Sequence, residues 1–205
     1  MSELAVIFGL EGKALSAAEK TFFREANPWA FILFARNIDN PDQVRALNNE
    51  LRECVGRDCL IFIDQEGGRV QRLRPPHWPN YPSGAVLSGG YANGKAARRR
   101  AVYLHHRLIA DDLRAIGVTA DCAPVLDIPL PNADAIISDR AFGTAPAQII
   151  DLGHAAMAGL MAGGVAPVIK HIPGHGRAMV DSHLELPRVE DSLEVLSGTD
   201  FVPFK

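Results

Sequence analysis

This sequence predicts an α/β fold built as a (β/α)8 TIM-type barrel, on three observations. Short apolar runs alternate with longer stretches of helical periodicity, the pattern of βα units feeding a parallel sheet. The first run is followed by Gly9-Leu10-Glu11-Gly12, not by the glycine fingerprint that opens a dinucleotide-binding, doubly wound sheet. Polar residues also gather just after successive strand ends, at Arg36-Asn37, 64–72, Asp127 and 170–183. Chemistry drawn from many strand ends belongs to a barrel rather than to an open sheet.

In order, residues 4–8 read as a strand and 16–25 as a helix, with Ser16 and Glu19 as a capping box. Residues 30–34 form a second apolar run. Asp39-Asn40-Pro41 then starts a helix that reaches Glu53, with Val44, Leu47 and Leu51 on one face. Residues 60–63 are the third strand. The Pro-rich stretch 72–94 is too long for an ordinary βα loop and is expected to be functional or partly structured. A helix follows over 95–116, a strand over 118–125, and a second long loop to Gly143. Residues 146–162 are helical, with proline in the first turn, and 165–169 make a fifth short strand.

The 205 residues suffice for one substantial core, and no tandem repeat or low-complexity linker divides them, so a single domain over 1–205 is expected. A net charge of −3 without a long basic run excludes a dedicated nucleic-acid or membrane surface. Arg98-Arg99-Arg100 is read as a solvated helix face. Glu3 precedes the first apolar run, and Glu11 and Lys13 close it, unlike a secretory leader. No run approaches the ~18 apolar residues that span a bilayer, so a soluble, cytoplasmic protein is expected. Cys54, Cys59 and Cys122 indicate neither a disulfide framework nor a zinc site.

Two segments carry chemistry. The third strand runs into Asp64-Gln65-Glu66-Gly67-Gly68-Arg69-Val70-Gln71-Arg72, where paired glycines permit a sharp turn. Asp64 can accept bonds from vicinal hydroxyls, and Arg72 can donate a fork to oxygens; equally, the two can form an ion pair that merely braces the loop. The second segment is Lys170-His171-Ile172-Pro173-Gly174-His175-Gly176-Arg177, continued by Asp181-Ser182-His183. Asp181 and His183 are two apart, so in extended chain the carboxylate sits beside the imidazole. Such a pair fixes the tautomer and raises the basicity of a proton-transfer residue, but it also occurs as a plain structural contact. His171, His175, Asp181 and His183 are also competent metal ligands. Their place on one Gly- and Pro-broken loop, without a metal-binding spacing, argues against a metal-dependent barrel hydrolase.

These segments resemble hallmark stretches of the family 3 glycoside hydrolases, and within them the bacterial β-N-acetylglucosaminidases of peptidoglycan recycling. Phe34-Ala35-Arg36-Asn37 and Asp139-Arg140-Ala141-Phe142-Gly143 are similar to two further family segments, in the expected order. The resemblance implies a retaining glycosidase that acts through a glycosyl-aspartate intermediate. It implies that His183, supported by Asp181, is the general acid/base. Asp64, Arg72, Arg140, Lys170 and His171 are implied to grip the N-acetylglucosamine ring of a muropeptide or oligosaccharide. No metal or organic cofactor is implied.

The family's nucleophilic aspartate follows a later strand, in a segment resembling Ser-Asp-Asp. After His183 the acids are Glu185, Glu190, Asp191, Glu194 and Asp200, and none follows an apolar strand. The barrel is therefore expected to stop after about five of its eight βα units, before the nucleophile. Self-association or a C-terminal piece would complete it. A sugar-binding protein without hydrolysis is the alternative functional class.

Overall fold

The computed structural model describes residues 2–89, 94–180 and 183–205. Its strands in chain order are β1 (Leu4–Phe8), β2 (Pro28–Leu33), β3 (Leu60–Ile63), β4 (Gln65–Gly67), β5 (Val70–Gln71), β6 (Ala120–Asp121) and β7 (Ala166–Pro167). The short pair β4–β5 is antiparallel; the others form a five-stranded sheet, ordered β1-β2-β3-β6-β7 and parallel throughout. Helices α1 (Ala17–Ala26), α2 (Pro41–Val55), α3 (Gly84–Gly89), α4 (Lys95–Ala115), α5 (Pro146–Ala162) and α6 (Leu193–Gly198) fill the connections and the C-terminal segment.

The distribution of side chains decides between barrel and doubly wound sheet. The β2–β3 register aligns Phe31 with Ile61 and Leu33 with Ile63. These four share one buried cluster with Phe23 of α1, Val44 and Leu51 of α2, Ile109 and Leu113 of α4, and Leu160 of α5. Helices from successive units thus lie on the same face. On the opposite face Ala30, Phe62 and Ala120 make their own small cluster, joined by Ile32, Leu60 and Cys122. A doubly wound sheet splits its helices between two faces and reverses its strand order. This sheet does neither, and its architecture is that of consecutive staves of a TIM-type barrel.

Local signals explain the helix ends. The Ser16 hydroxyl accepts from Glu19 N, and the Glu19 carboxylate accepts from Ser16 N, so the capping box is complete. Asn40 caps α2 ahead of Pro41, and Gly56 ends it in the left-handed region. Val44, Leu47 and Leu51 are all buried as their spacing predicts. Helices α4 and α5 pack closely at Gly159, where a Cβ would sit 2.4 Å from the Tyr103 carbonyl oxygen.

Besides the β4–β5 hairpin, which the sequence reads only as a turn, three elements differ from expectation. The strand predicted over 118–125 is regular only at Ala120–Asp121, and that over 165–169 only at Ala166–Pro167. Both contain proline, which cannot donate to a ladder. Pairing beyond them is irregular: Val168 N reaches both Asp121 O and Ala123 O, and a bridge joins Val125 to Lys170. Helix α6 was not anticipated, because its six residues bury no side chain and so carry no core-facing period. Among the described residues, no helix is long and apolar enough to cross a membrane.

Helix α4 also carries two adjacent buried histidines. Burial, with His106 beside it, pushes the His105 imidazole down to about 3, and burial pushes His106 down to about 4. Both rings are neutral in the fold, whereas in the unfolded chain they take up protons near pH 6.5. As pH falls below 6.5 the unfolded state binds protons that the fold refuses, so stability falls. For His106 alone the loss between pH 6.5 and 5 is expected to be on the order of 2 kcal/mol. Urea midpoints across this window check it: His106→Gln should flatten the dependence, and a flat wild-type profile would contradict it.

Candidate active site

The site is assembled from the ends of β3 and β7 and from two connections. Asp64 follows β3 directly, and the β4–β5 hairpin then folds back on it. The buried Gln65 side chain locks that hairpin, since its Oε1 accepts from Arg72 N at 2.9 Å and Leu73 N at 3.0 Å. Gly67 makes the turn affordable to the backbone: its φ is +94°, and a Cβ there would lie 2.3 Å from the Pro82 carbonyl oxygen. The locked turn brings the Arg72 Nη2 to 3.0 Å from Asp64 Oδ2.

Lys170 arrives from the far side of the sheet, where its backbone bridges to Val125. Its Nζ lies 2.9 Å from Asp64 Oδ1 and 2.5 Å from Glu66 Oε1. Arg140 ends a single 3-10 turn, Ser138–Arg140, and clasps Glu66 with two bonds of 2.8 Å. A third bond, from Arg140 Nη1 to Ile136 O at 3.0 Å, holds the guanidinium plane. Next to it, the His171 ring meets Asp127 Oδ2 through Nδ1 at 2.6 Å and Arg140 Nη2 through Nε2 at 3.4 Å.

Charge is balanced at short range. Burial alone would raise the Asp64 carboxyl, but Lys170 and Arg72 beside it outweigh this and hold it below its ordinary value. Burial likewise works against the charge on Lys170, and Glu66 and Asp64 more than offset it. Arg140 follows the same pattern through Glu66. Beneath them, the fully buried Asp121 carboxyl is pushed well up by burial; it accepts one bond, from Gln65 N. The result is a group of ionised donors and acceptors at strand ends, able to exchange some mutual bonds for bonds to vicinal hydroxyls.

Of the seven residues singled out in the sequence, Asp64, Arg72, Arg140, Lys170 and His171 belong to one continuous network. The Asp64–Arg72 ion pair expected as a loop brace is present, but it is also part of that network. His183 lies in an exposed turn beyond the loop, and Asp181 lies outside the described residues. Sequence reasoning gave no role to Glu66 or Asp127. Glu66 has a legible signal in hindsight, being two residues from Asp64 in an extended stretch and so on the same side. Asp127 follows an apolar run, but nothing local reveals its partners. Arg36 and Asn37 serve as braces instead: Arg36 Nε and Asn37 Nδ2 donate to the carbonyl of Leu10 near the start of the first βα connection.

Comparison with known proteins places this geometry. Residues 5–205 match the family described as Glycosyl hydrolase family 3 N terminal domain. A beta-hexosaminidase of Alkalilimnicola ehrlichii is 40% identical over 98% of this chain and 57% of its own length. One of Methylococcus capsulatus is 40% identical over 97% of this chain and 58% of its own. Among solved structures, native NagZ from Neisseria gonorrhoeae superposes with a TM-score of 0.90 at 32% identity, covering 98% of this chain and 59% of that one. The same gonococcal protein has been solved in complex with N-trifluoroacetyl-D-glucosamine. The chain thus spans a little under three fifths of the length of these relatives. With its parallel staves, its strand-end charges and a match over nearly every residue, the chain belongs to glycosyl hydrolase family 3, as the N-terminal domain of that family.

Proposed function

We propose that this chain provides the sugar grip and the proton-transfer loop of a retaining β-N-acetylhexosaminidase. Its substrates are terminal non-reducing N-acetyl-β-D-glucosamine residues of peptidoglycan fragments, handled in the cytoplasm. The observation that supports this most is the network of Asp64, Glu66, Lys170, Arg140, Arg72 and His171 at the strand ends. Carboxylates in it accept from ring hydroxyls, while Lys170 and the two guanidinium groups donate. The names of the relatives, and the glucosamine derivative bound by the gonococcal protein, support an N-acetylglucosamine-type substrate.

In this reading His183, oriented by Asp181, gives a proton to the leaving oxygen and later takes one from the water that opens the glycosyl-aspartate. An imidazole is neutral when it acts as base, so it does not repel a nearby nucleophilic carboxylate. The loop beyond Gly176 closes over bound sugar and carries His183 inward. The nucleophile comes from outside these residues. The exposed Leu4, Ile7 and Trp29 at the β1 end of the sheet are where a further segment or a second copy adds to the barrel.

The test is calorimetry of N-acetylglucosamine binding to this chain, run beside hydrolysis of an aryl N-acetyl-β-glucosaminide. Binding without turnover is expected, with Asp64→Ala weakening binding at least tenfold and His183→Ala leaving it nearly unchanged. Turnover at ordinary enzymatic rates would overturn the placement of the nucleophile outside the chain. No binding by the folded wild type would overturn the sugar reading itself.

A further inference from the structure

Asp127 is 0% exposed and follows the apolar run that ends at Leu126. Its two oxygens divide three donors between them. Oδ1 accepts from the backbone N–H of His171 at 3.2 Å and of His175 at 2.7 Å. Oδ2 meets His171 Nδ1 at 2.6 Å. A carboxylate only accepts, so the His171 proton sits on Nδ1. The other end of the ring agrees: Arg140 Nη2 lies 3.4 Å from Nε2, and a guanidinium only donates, so Nε2 carries the lone pair.

We infer that Asp127 is a positioning residue that fixes His171 as the Nδ1–H tautomer, so that His171 offers the sugar a hydrogen-bond acceptor. The same carboxylate pins the first turn of the loop that leads to His183, through His175 N. Asp127 therefore sets both the orientation of one grip residue and the starting point of the proton-transfer loop. The specificity consequence rests on the sugar reading above: His171 selects for a hydroxyl that donates and against an acceptor at that ring position. Otherwise two acceptors face each other, a pairing that costs more than a merely missing bond.

Asp127→Asn separates the tautomer from the packing, because it conserves volume. The two backbone N–H groups keep the amide oxygen in the Oδ1 place, which puts the amide NH2 against His171 Nδ1. Nδ1 must then accept, and the proton moves to Nε2, where it opposes the Arg140 guanidinium. The measurement is long-range proton–nitrogen correlation NMR on histidine-labelled chain at neutral pH, with N-acetylglucosamine affinity by calorimetry. The expected result is Nδ1–H for His171 in the wild type, Nε2–H in Asp127→Asn, and an affinity at least tenfold weaker in the variant. An Nε2–H wild-type ring overturns the inference without any variant being folded. So does a variant whose tautomer is unchanged, or one whose tautomer flips while sugar affinity holds. If the wild type shows Nδ1–H and the variant flips, but neither binds the sugar, the sugar reading has failed and the tautomer assignment stands.

Discussion

Replacing Glu66 by alanine is expected to cost about 3–5 kcal/mol of unfolding free energy, the range for removing one partner of a buried ion pair. The side chains of Glu66 and Arg140 are 7% and 8% exposed, and Lys170 is nearly as buried. Lys170 would still have Asp64 at 2.9 Å. Arg140 would lose both of its carboxylate bonds and keep only neutral partners, Ile136 O and, at 3.4 Å, His171 Nε2. An uncompensated buried guanidinium is the origin of the cost. The contrast is Lys13→Ala, which breaks a pair of similar length, 2.6 Å, whose side chains are more than half exposed. That change should leave the urea midpoint nearly unmoved, because water already solvates both charges. Urea unfolding of the two variants checks the pair of values. Equal small losses would mean that the Glu66 cluster is relieved by water and contributes little to the fold.

Gly176→Ala should be comparably damaging for a different reason. A Cβ at Gly176 would stand 1.9 Å from the carbonyl oxygen of Ile128 and 2.4 Å from its carbon. Both atoms are backbone, so no rotamer change relieves the clash. The two strands of loop are also stitched together here, by Leu130 N to Gly176 O and Asp134 N to Ala178 O. Moving them apart would pull His175 N from Asp127 and displace the loop leading to His183. A loss of about 3 kcal/mol is expected, at the upper end for overpacking, together with at least tenfold weaker sugar binding. Gly198→Ala is the matched control, since nothing lies within 4 Å of the added carbon. Thermal unfolding of both variants gives the comparison. A Gly176→Ala chain as stable as the control would show that the loop is free to shift away from Ile128.

The sequence made the frame legible where the signal was periodic and local. The Ser16–Glu19 box, the Asn40-Pro41 start and the Val44, Leu47, Leu51 stripe each fixed an element. It overran at 118–125 and 165–169, where strands are present but regular pairing is confined to Ala120–Asp121 and Ala166–Pro167. Asp64, Arg72, Arg140, Lys170 and His171 of the network were readable because they stand at strand ends or in motifs. Glu66 and Asp127 were not, because their importance comes from partners 74 and 44 residues away. No window of local sequence contains both members of such a pair. The pairing of Asp181 with His183 expected from their spacing falls outside the described residues.

The distance along the chain between Asp64 and Lys170 is 106 residues. At a synthesis rate of about 5–20 residues per second, roughly 5–20 s separate their emergence from the ribosome. Staves β1 to β3 can pair with their neighbours in that interval, since those contacts are sequential. Asp64 and Glu66 cannot yet be neutralised by Lys170, and Glu66 must also wait for Arg140. The nascent chain therefore carries Asp64 with Arg72 alone as its partner, and Glu66 with neither of its cations, at the rim of a growing sheet. Glu66 therefore stays hydrated until Arg140 and then Lys170 are available to neutralise it.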